Sequence, residues 1–288
     1  MIAVVGATGN TGRAAVKELR ALGENPLCIV RNADKAREVL GADAKVTVAE
    51  VTDRAALEKA LAGAKRVFIV TGHNPQSGEQ QLNILEAAKA MGAEFIVKVS
   101  GGKAMATADS ETPVGRGHHL VEQAMMKSGL GWVILRPGLF MQNTLAQAAL
   151  IKNDSKMALP FAADLPLGFI DTRDAGAVGA HVLRDVKKYA GRDIEYSGRQ
   201  SSYAAFARDF SEVLGKPVAY IGVTFEQAEA ALKARGLPDW LINHQLTIAR
   251  LAAKGGFSAD NSQALMDILG REPISTPQFV QDHKAAFG

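Results

Sequence analysis

The sequence predicts an α/β protein, a doubly wound parallel sheet that leads into a smaller, mainly helical C-terminal region. Three observations predict it. Short apolar, β-branched runs alternate with helical stretches as far as Leu135. A turn with regularly spaced glycines joins the first run to the first helix. Beyond Gly138 the alternation loosens and helical patterns dominate. Strict strand–helix alternation demands parallel strands joined by right-handed crossovers, with helices on both faces.

Residues 2–5 form a charge-free run suited to a strand buried on both faces, and residues 13–22 read as the first helix. Strands follow at 27–30, 45–48, 66–70, 95–99 and 132–135. Between them the spacing predicts helices over 34–40, 54–61, 77–91 and 114–128. The third of these shows Leu82, Leu85, Ala88 and Met91 at helical intervals. After Gly138, helices are expected over 140–152 and from Asp171 to Val186, the latter capped by Asp171 or Thr172. Asp171 and Asp174 read as helix cap and first-turn charge, not as a catalytic carboxylate pair. A short strand at 194–196, a helix at 203–214 and a strand at 218–221 come next. A helix capped by Thr224 and helices at 240–253 and 262–269 complete the pattern. No internal repeat or low-complexity linker separates the halves. The division expected is 1–138 for the sheet domain and 139–288 for a substrate-binding region built onto it.

The turn reads Gly6-Ala7-Thr8-Gly9-Asn10-Thr11-Gly12. Strand, glycine turn and helix together make a phosphate-binding device of the Rossmann type. Gly6 permits a tight turn, Gly9 lets a pyrophosphate approach the backbone, and Gly12 allows close helix–strand packing. The helix N-terminus then meets the anion, with Thr8, Asn10 and Thr11 beside it. Cofactor choice is read at the end of the second strand. An NAD-binding fold places an acidic residue there for the ribose hydroxyls; this chain has Val30, Arg31 and Asn32, then Lys35. An arginine at that point pairs with a 2′-phosphate, so NADP(H) is the expected cofactor. Asp53 either contacts adenine or caps the helix from Arg54. Thr71 and Gly72, ending the fourth strand, and Ser100, ending the fifth, lie at the carboxyl edge where open α/β sheets bind ligands.

Composition narrows the function classes. Lys+Arg 33 against Asp+Glu 30 leaves a net charge of only +3, and no basic run interleaves with aromatics, so nucleic acid is not implied as a partner. The single cysteine, Cys28, sits in an apolar strand and excludes an intrachain disulfide, which fits a reducing cytoplasm. The glycine motif begins too close to Met1 for a signal peptide, and no apolar run approaches a membrane span, so a complete cytoplasmic chain is expected. No His/Cys/Asp/Glu cluster has metal-ligand spacing, and no Gly-x-Ser-x-Gly elbow appears.

The glycine motif, Val30-Arg31-Asn32, Ser100, His118-His119-Leu120-Val121-Glu122 and Leu135-Arg136-Pro137-Gly138 together resemble the atypical short-chain dehydrogenase/reductases. Their NmrA-like branch, with quinone, azo-compound and triphenylmethane reductase relatives, is the nearest. Tyr196-Ser197-Gly198, Gly215-Lys216-Pro217-Val218 and the segment from Thr224 extend the resemblance into the C-terminal region. It implies NADP binding, with Pro137 among the cofactor contacts, and hydride transfer to a small-molecule electron acceptor. One departure stands out. Catalytic members carry Tyr-x-x-x-Lys on the helix after the fifth strand; counting back from Glu122, Val114 and His118 occupy those positions, and Val114 exchanges no proton. His118, at the lysine's position, is the candidate proton donor; adjacent residues on a helix diverge, so at most one of His118 and His119 faces the site. Phe140, Met141 and Asn143, with Phe169 and Trp240, are expected to wall the substrate end. Two functions follow: an NADPH-dependent reductase of quinones or similar conjugated electrophiles, or a non-enzymatic NADP-binding redox sensor acting through a protein partner.

Overall fold

A computed structural model describes all residues, Met1–Gly288. The chain packs as two compact units. The first comprises Met1–Gly101, Ala106–Arg136 and Thr172–Glu195; the second comprises Gly102–Met105, Pro137–Asp171 and Tyr196–Gly288.

In the first unit the expected alternation is present: β1 (Ile2–Val5), α1 (Asn10–Ala21), β2 (Leu27–Val30), α2 (Ala33–Leu40), β3 (Val46–Val48) and α3 (Arg54–Leu61). Then come β4 (Arg66–Ile69), α4 (Ser77–Ala90), β5 (Phe95–Val99), α5 (Pro113–Lys127) and β6 (Gly131–Pro137). Six strands pair in parallel in the order β3-β2-β1-β4-β5-β6. The chain builds outward from β1 to β3, then returns to the other side of β1 with β4. That reversal creates a switch point between the carboxyl ends of β1 and β4, the crevice where such sheets hold ligands.

One sheet face buries Ala3, Val5, Ile29, Val67, Ile69, Ile96 and Ile134 against α3, α4 and α5, through Leu57, Leu61, Ile84, Leu85, Val121 and Met125. Phe68 and Val97, a register pair one residue out of phase with that set, face the other way.

The second unit begins with β7 (Leu139–Phe140), a 3-10 helix (Met141–Gln147) and α6 (Ala148–Asp154). The single helix expected over 140–152 is therefore broken, as Phe140 joins a strand ladder with β9 before any helix starts. β8 (Lys156–Leu159) and β9 (Leu167–Ile170) follow, two strands that the sequence reading lacks. The chain then returns to the first unit with α7 (Thr172–Arg184), α8 (Val186–Tyr189) and β10 (Arg192–Tyr196), the last lying beside β6.

A single cut after Gly138 therefore differs from the observed division, and the physical reason lies in α7. A Cβ on Gly176 would sit 2.5 Å from the Thr11 carbonyl and 2.6 Å from both the Ala14 Cβ and the Ala15 nitrogen. One on Gly179 would strike the Phe68 ring at 2.5 Å. Small residues thus let α7 lie against α1 and the Phe68 face, so it completes the doubly wound layer.

The remaining elements are β11 (Gln200–Ser201), α9 (Tyr203–Leu214), β12 (Ala219–Gly222), α10 (Phe225–Ala234), α11 (Asp239–Ala253), α12 (Ser262–Leu269), α13 (Thr276–Asp282) and α14 (Lys284–Phe287). They surround an aromatic core of Phe169, Tyr203, Phe206, Phe210, Phe279 and Phe287, flanked by small sheets of order β11-β9-β7 and β12-β8. The Thr224 cap is a full capping box with Gln227. No helix is long and apolar enough to cross a membrane.

Gly176→Ala is expected to destabilise the chain by about 1–3 kcal/mol through overpacking at the α1–α7 contact. Gly72→Ala, with nothing within 4 Å of the added carbon, is expected to stay within about 0.5 kcal/mol of the wild type. Denaturant midpoints of the two variants check the contrast.

Candidate functional site

The glycine turn lies at the switch point. Gly6 has φ +93°, and a Cβ there would be 2.2 Å from the Val70 carbonyl oxygen. A Cβ on Gly12 would be 2.1 Å from the Gly6 carbonyl. Both positions are closed by backbone, so only glycine lets the turn fold beside the end of β4. Gly9 differs, because its nearest neighbour would be the Gly6 carbonyl at 3.5 Å, ordinary contact. The missing side chain there leaves open space for a ligand.

α1 begins at Asn10, three residues earlier than the sequence pattern suggests. Gly9 is its N-cap, and no side chain caps the helix. The N–H groups of the first turn, over Asn10, Thr11 and Gly12, are thus presented by backbone alone. Thr8 and Asn10 are exposed and Thr11 is buried. This cradle fits the pyrophosphate of a dinucleotide.

The residues expected at the adenosine end follow β2 and β3. Arg31 follows β2 directly and is exposed, as is Lys35. Asn32 caps α2 by accepting a hydrogen bond from the Lys35 backbone N–H at 2.9 Å. Asp53 is the N-cap of α3, accepting from the Ala56 N–H at 2.9 Å. At the end of β4, the Thr71 hydroxyl accepts from the Gln81 amide at 2.8 Å, while Gly72 is exposed. Pro137 is buried at the end of β6.

Ser100 is not an isolated hydroxyl. It sits in a buried polar row that sequence reasoning misses. Lys98, the penultimate residue of β5, is 0% exposed. Its ammonium donates to Ser100 Oγ at 2.9 Å and to the Val99 carbonyl at 3.3 Å, and it lies 2.8 Å from His118 Nδ1. Ser100 donates in turn to Glu122. Glu122 meets Arg136 in a two-pronged ion pair of 2.9 and 2.8 Å, with both side chains 5% exposed. Arg136 also donates to the Gly101 carbonyl at 2.7 Å and to both Asp193 oxygens at 2.7 and 3.0 Å. The signal for this row was a lysine inside a buried parallel strand, where its stem has no route by which to snorkel to water.

α5 sets the row's geometry. Thr112 caps it through the Gly115 N–H and Pro113 opens it, which fixes where its turns fall. Val114, His118 and Glu122 then share one face at four-residue spacing. Val114 is 1% exposed and apolar, in line with the absence of a tyrosine there. His118 meets the ammonium of Lys98, so β5 supplies a lysine to the histidine that α5 presents. Burial pushes Lys98 down to about 7, with Glu122 pulling it up and Arg136 pushing it further down.

Of the residues expected at the substrate end, all in the second unit, Met141 and Phe169 are core, 2% and 1% exposed. Phe169 packs edge-on against Tyr203 and Phe206. Phe140 and Trp240 are half-buried and Asn143 is exposed. Asp171 is buried and accepts from the Gln142 amide at 3.0 Å.

The doubly wound sheet, the open Gly9 cradle and the basic end of β2 define a dinucleotide-binding α/β protein. Its family follows from comparison: residues 1–262 match the NmrA-like family, and the chain belongs to it. It is 30% identical over 289 residues to an NAD(P)H azoreductase of Xenophilus azovorans, covering 100% of this chain and 99% of that one. It is 32% identical over 288 residues to a (4-alkanoyl-5-oxo-2,5-dihydrofuran-3-yl)methyl phosphate reductase of Streptomyces griseus, again covering 100% and 99%. Among solved structures, an NADPH-dependent quinone oxidoreductase from Escherichia coli, complexed with NADPH, superposes with a TM-score of 0.88. The two are 28% identical, over 99% of this chain and 100% of that one.

The depressed Lys98 has a consequence for stability. Below about 7 the native chain bears the full penalty of a buried charge. Between there and the ordinary 10.5 the unfolded chain holds a proton that the native chain has lost, so stability rises with pH. Relative to Lys98→Met, the wild type is expected to gain on the order of 2–4 kcal/mol between about pH 7 and pH 10. Chemical denaturation of both proteins at the two pH values measures it, and a flat difference would show that Lys98 titrates as an ordinary lysine.

Proposed function

We propose that the chain is an NADPH-dependent reductase that acts on quinones or similar conjugated electrophiles. The observation that carries this reading is the open face at Gly9, set at the head of a helix with no side-chain cap. The full-length similarity to NAD(P)H-dependent reductases supports it. Bound NADPH supplies a hydride; the chain's own residues bind, orient and manage protons.

The backbone from Gly9 to Gly12 holds the pyrophosphate, Arg31 and Lys35 hold the 2′-phosphate, and Thr71 and Gly72 belong to the same cofactor surface. Asp53 stays with α3 as its cap. Ser100 acts from behind, through its bonds to Lys98 and Glu122. Phe140, Asn143 and Trp240 keep side-chain surface for an electron acceptor, whereas Met141 and Phe169 lie in the core.

A quinone, azo bond or conjugated cation takes a hydride with little acid assistance, but the reduced product still needs a proton. His118 moves that proton. Loss of the family tyrosine favoured a non-enzymatic sensor, but the Lys98–His118 pair supplies an alternative proton source and favours the enzyme. A cytoplasmic setting belongs to the same proposal, on the lone buried thiol of Cys28.

The test is consumption of NADPH by the purified protein with a panel of quinones and azo dyes, followed by nicotinamide absorbance. Oxidation well above background is expected; none, alongside measurable NADP binding, would overturn the reductase and leave a sensor. For cofactor choice, Arg31→Ala is expected to reduce the preference for NADPH over NADH by about ten- to a hundred-fold, the worth of charge-assisted hydrogen bonds to one phosphate. An unchanged ratio of the two cofactors' binding constants after the substitution would remove Arg31 from that role.

A further inference from the structure

Lys98 carries three ammonium protons and has three acceptors around it: the Val99 carbonyl, Ser100 Oγ and His118 Nδ1. If all three protons are used in this way, His118 Nδ1 is an acceptor and the ring's own proton sits on Nε2. The charges acting on Lys98 are those of Glu122 on α5 and Arg136 on β6, and Asp193 on β10 closes on Arg136. Its register neighbours, Ile69 on β4 and Ile134 on β6, are apolar. α4, on the same sheet face, buries only the uncharged Ser77 and Gln81 among its polar residues. The ladder of Lys98, Glu122, Arg136 and Asp193 is thus balanced charge for charge.

A second imidazole stands beside His118. The ring of His73 lies 5.4 Å away, centroid to centroid, at an interplanar angle of 78°. At that separation two ring nitrogens come within hydrogen-bond reach, about 3 Å, by rotation of one side chain. His73 is exposed, directly after Gly72 on the segment that follows β4. The order of burial is therefore graded: Lys98 is 0% exposed, His118 is 4% exposed and His73 is open to solvent.

We propose that Lys98, His118 and His73 form a proton path, from a buried ammonium to an exposed imidazole at the carboxyl edge of the sheet, that protonates the reduced acceptor. It rests on the reading of the chain as a reductase in which His118 moves a proton. After hydride addition the acceptor is an anion one proton short. One nitrogen of His73 releases its proton to that anion while the other takes the Nε2 proton of His118. His118 Nδ1 takes a proton from Lys98, whose Nζ–H bond breaks to leave a neutral amine. Each imidazole ends neutral, in the opposite tautomer. The acceptor loses its negative charge and Lys98 its positive one, so one proton crosses the path and no electrons move along it. Lys98 recovers its proton from solvent by the reverse route. Burial holds the lysine near neutrality, which keeps that proton transferable in both directions.

The experiment reads the tautomer of His118 directly. Ring-15N NMR of the histidine-labelled protein, without cofactor, is recorded across pH 6 to 9, with His118→Phe assigning the resonance. The wild type is expected to change from Nε2–H to Nδ1–H around pH 7, with the ring neutral on both sides. Lys98→Met is expected to abolish the change. If Lys98→Met does not fold, the wild-type titration decides alone: an ordinary imidazolium titration, or a tautomer that never changes, overturns the path. For the exposed end, His73→Gln is expected to lower kcat for acceptor reduction about a hundred-fold, the lower reach of general acid catalysis. KM for NADPH and the tautomer change of His118 are expected to stay unaltered, and an undiminished kcat would overturn the role of His73. The NMR arm needs no turnover, so failure of the reductase reading is distinguishable from failure of the path.

Discussion

A lysine sealed into a parallel strand is the constraint to which much of the first unit answers. An uncompensated ammonium in that position is intolerable, since effective desolvation penalties run to several kcal/mol per ion. Its counter-charge is Glu122 from α5, which is shared with Arg136 from β6, and Arg136 is in turn paired with Asp193 from β10. Removing any one partner strands a charge, so the row ties the last three strands and the crossover helix into one electrostatic unit. β10 lies beside β6, and its Asp193 gives Arg136 a second carboxylate.

The cofactor turn answers to a different constraint, the hard contact of backbone with backbone. Gly6 and Gly12 are closed by the Val70 carbonyl and by the turn itself, and α7 presses on α1 through Gly176. These contacts hold the head of α1 against the end of β4. The segment leaving β4 then carries Thr71, Gly72 and, next, His73. The steric lock on the turn and the proposed end of the proton path therefore share residues 70–73.

Much of this was legible in the chain itself. Period-two and period-3.6 patterns are strong where strands are buried on both faces and helices on one, which is why residues 54–61, 95–99, 203–214 and 262–269 carry elements with the expected limits. The pattern is weak where an element is short or held by partners far away. β8, β9 and β11 pair only with segments distant in the chain, and nothing local in their residues announces a strand. Likewise α7 was legible as a helix, but its place beside α1 depends on the absence of side chains at Gly176 and Gly179, a tertiary fact. Gly9 and Arg31 stand out locally because a phosphate site is built from one turn and one strand end. Lys98 was hidden among apolar neighbours, and its partners become visible only when the fold assembles them.

On the proposed proton path, Lys98 also takes over what a tyrosine on α5 would supply. A tyrosine hydroxyl ordinarily titrates near 10, so a Tyr–Lys pair must bring the phenol down before it donates at neutral pH. In this chain the lysine is itself the depressed acid, because desolvation acts on an ammonium in the direction that the chemistry needs. A histidine in the helix position then has a function that a second lysine would not have. Two ammonium groups facing each other repel and neither accepts, whereas an imidazole accepts from Lys98 on one nitrogen while presenting a proton on the other. On the proposed proton path, Val114 and His118 on α5 are matched by a proton source on the strand beneath, the buried ammonium of Lys98.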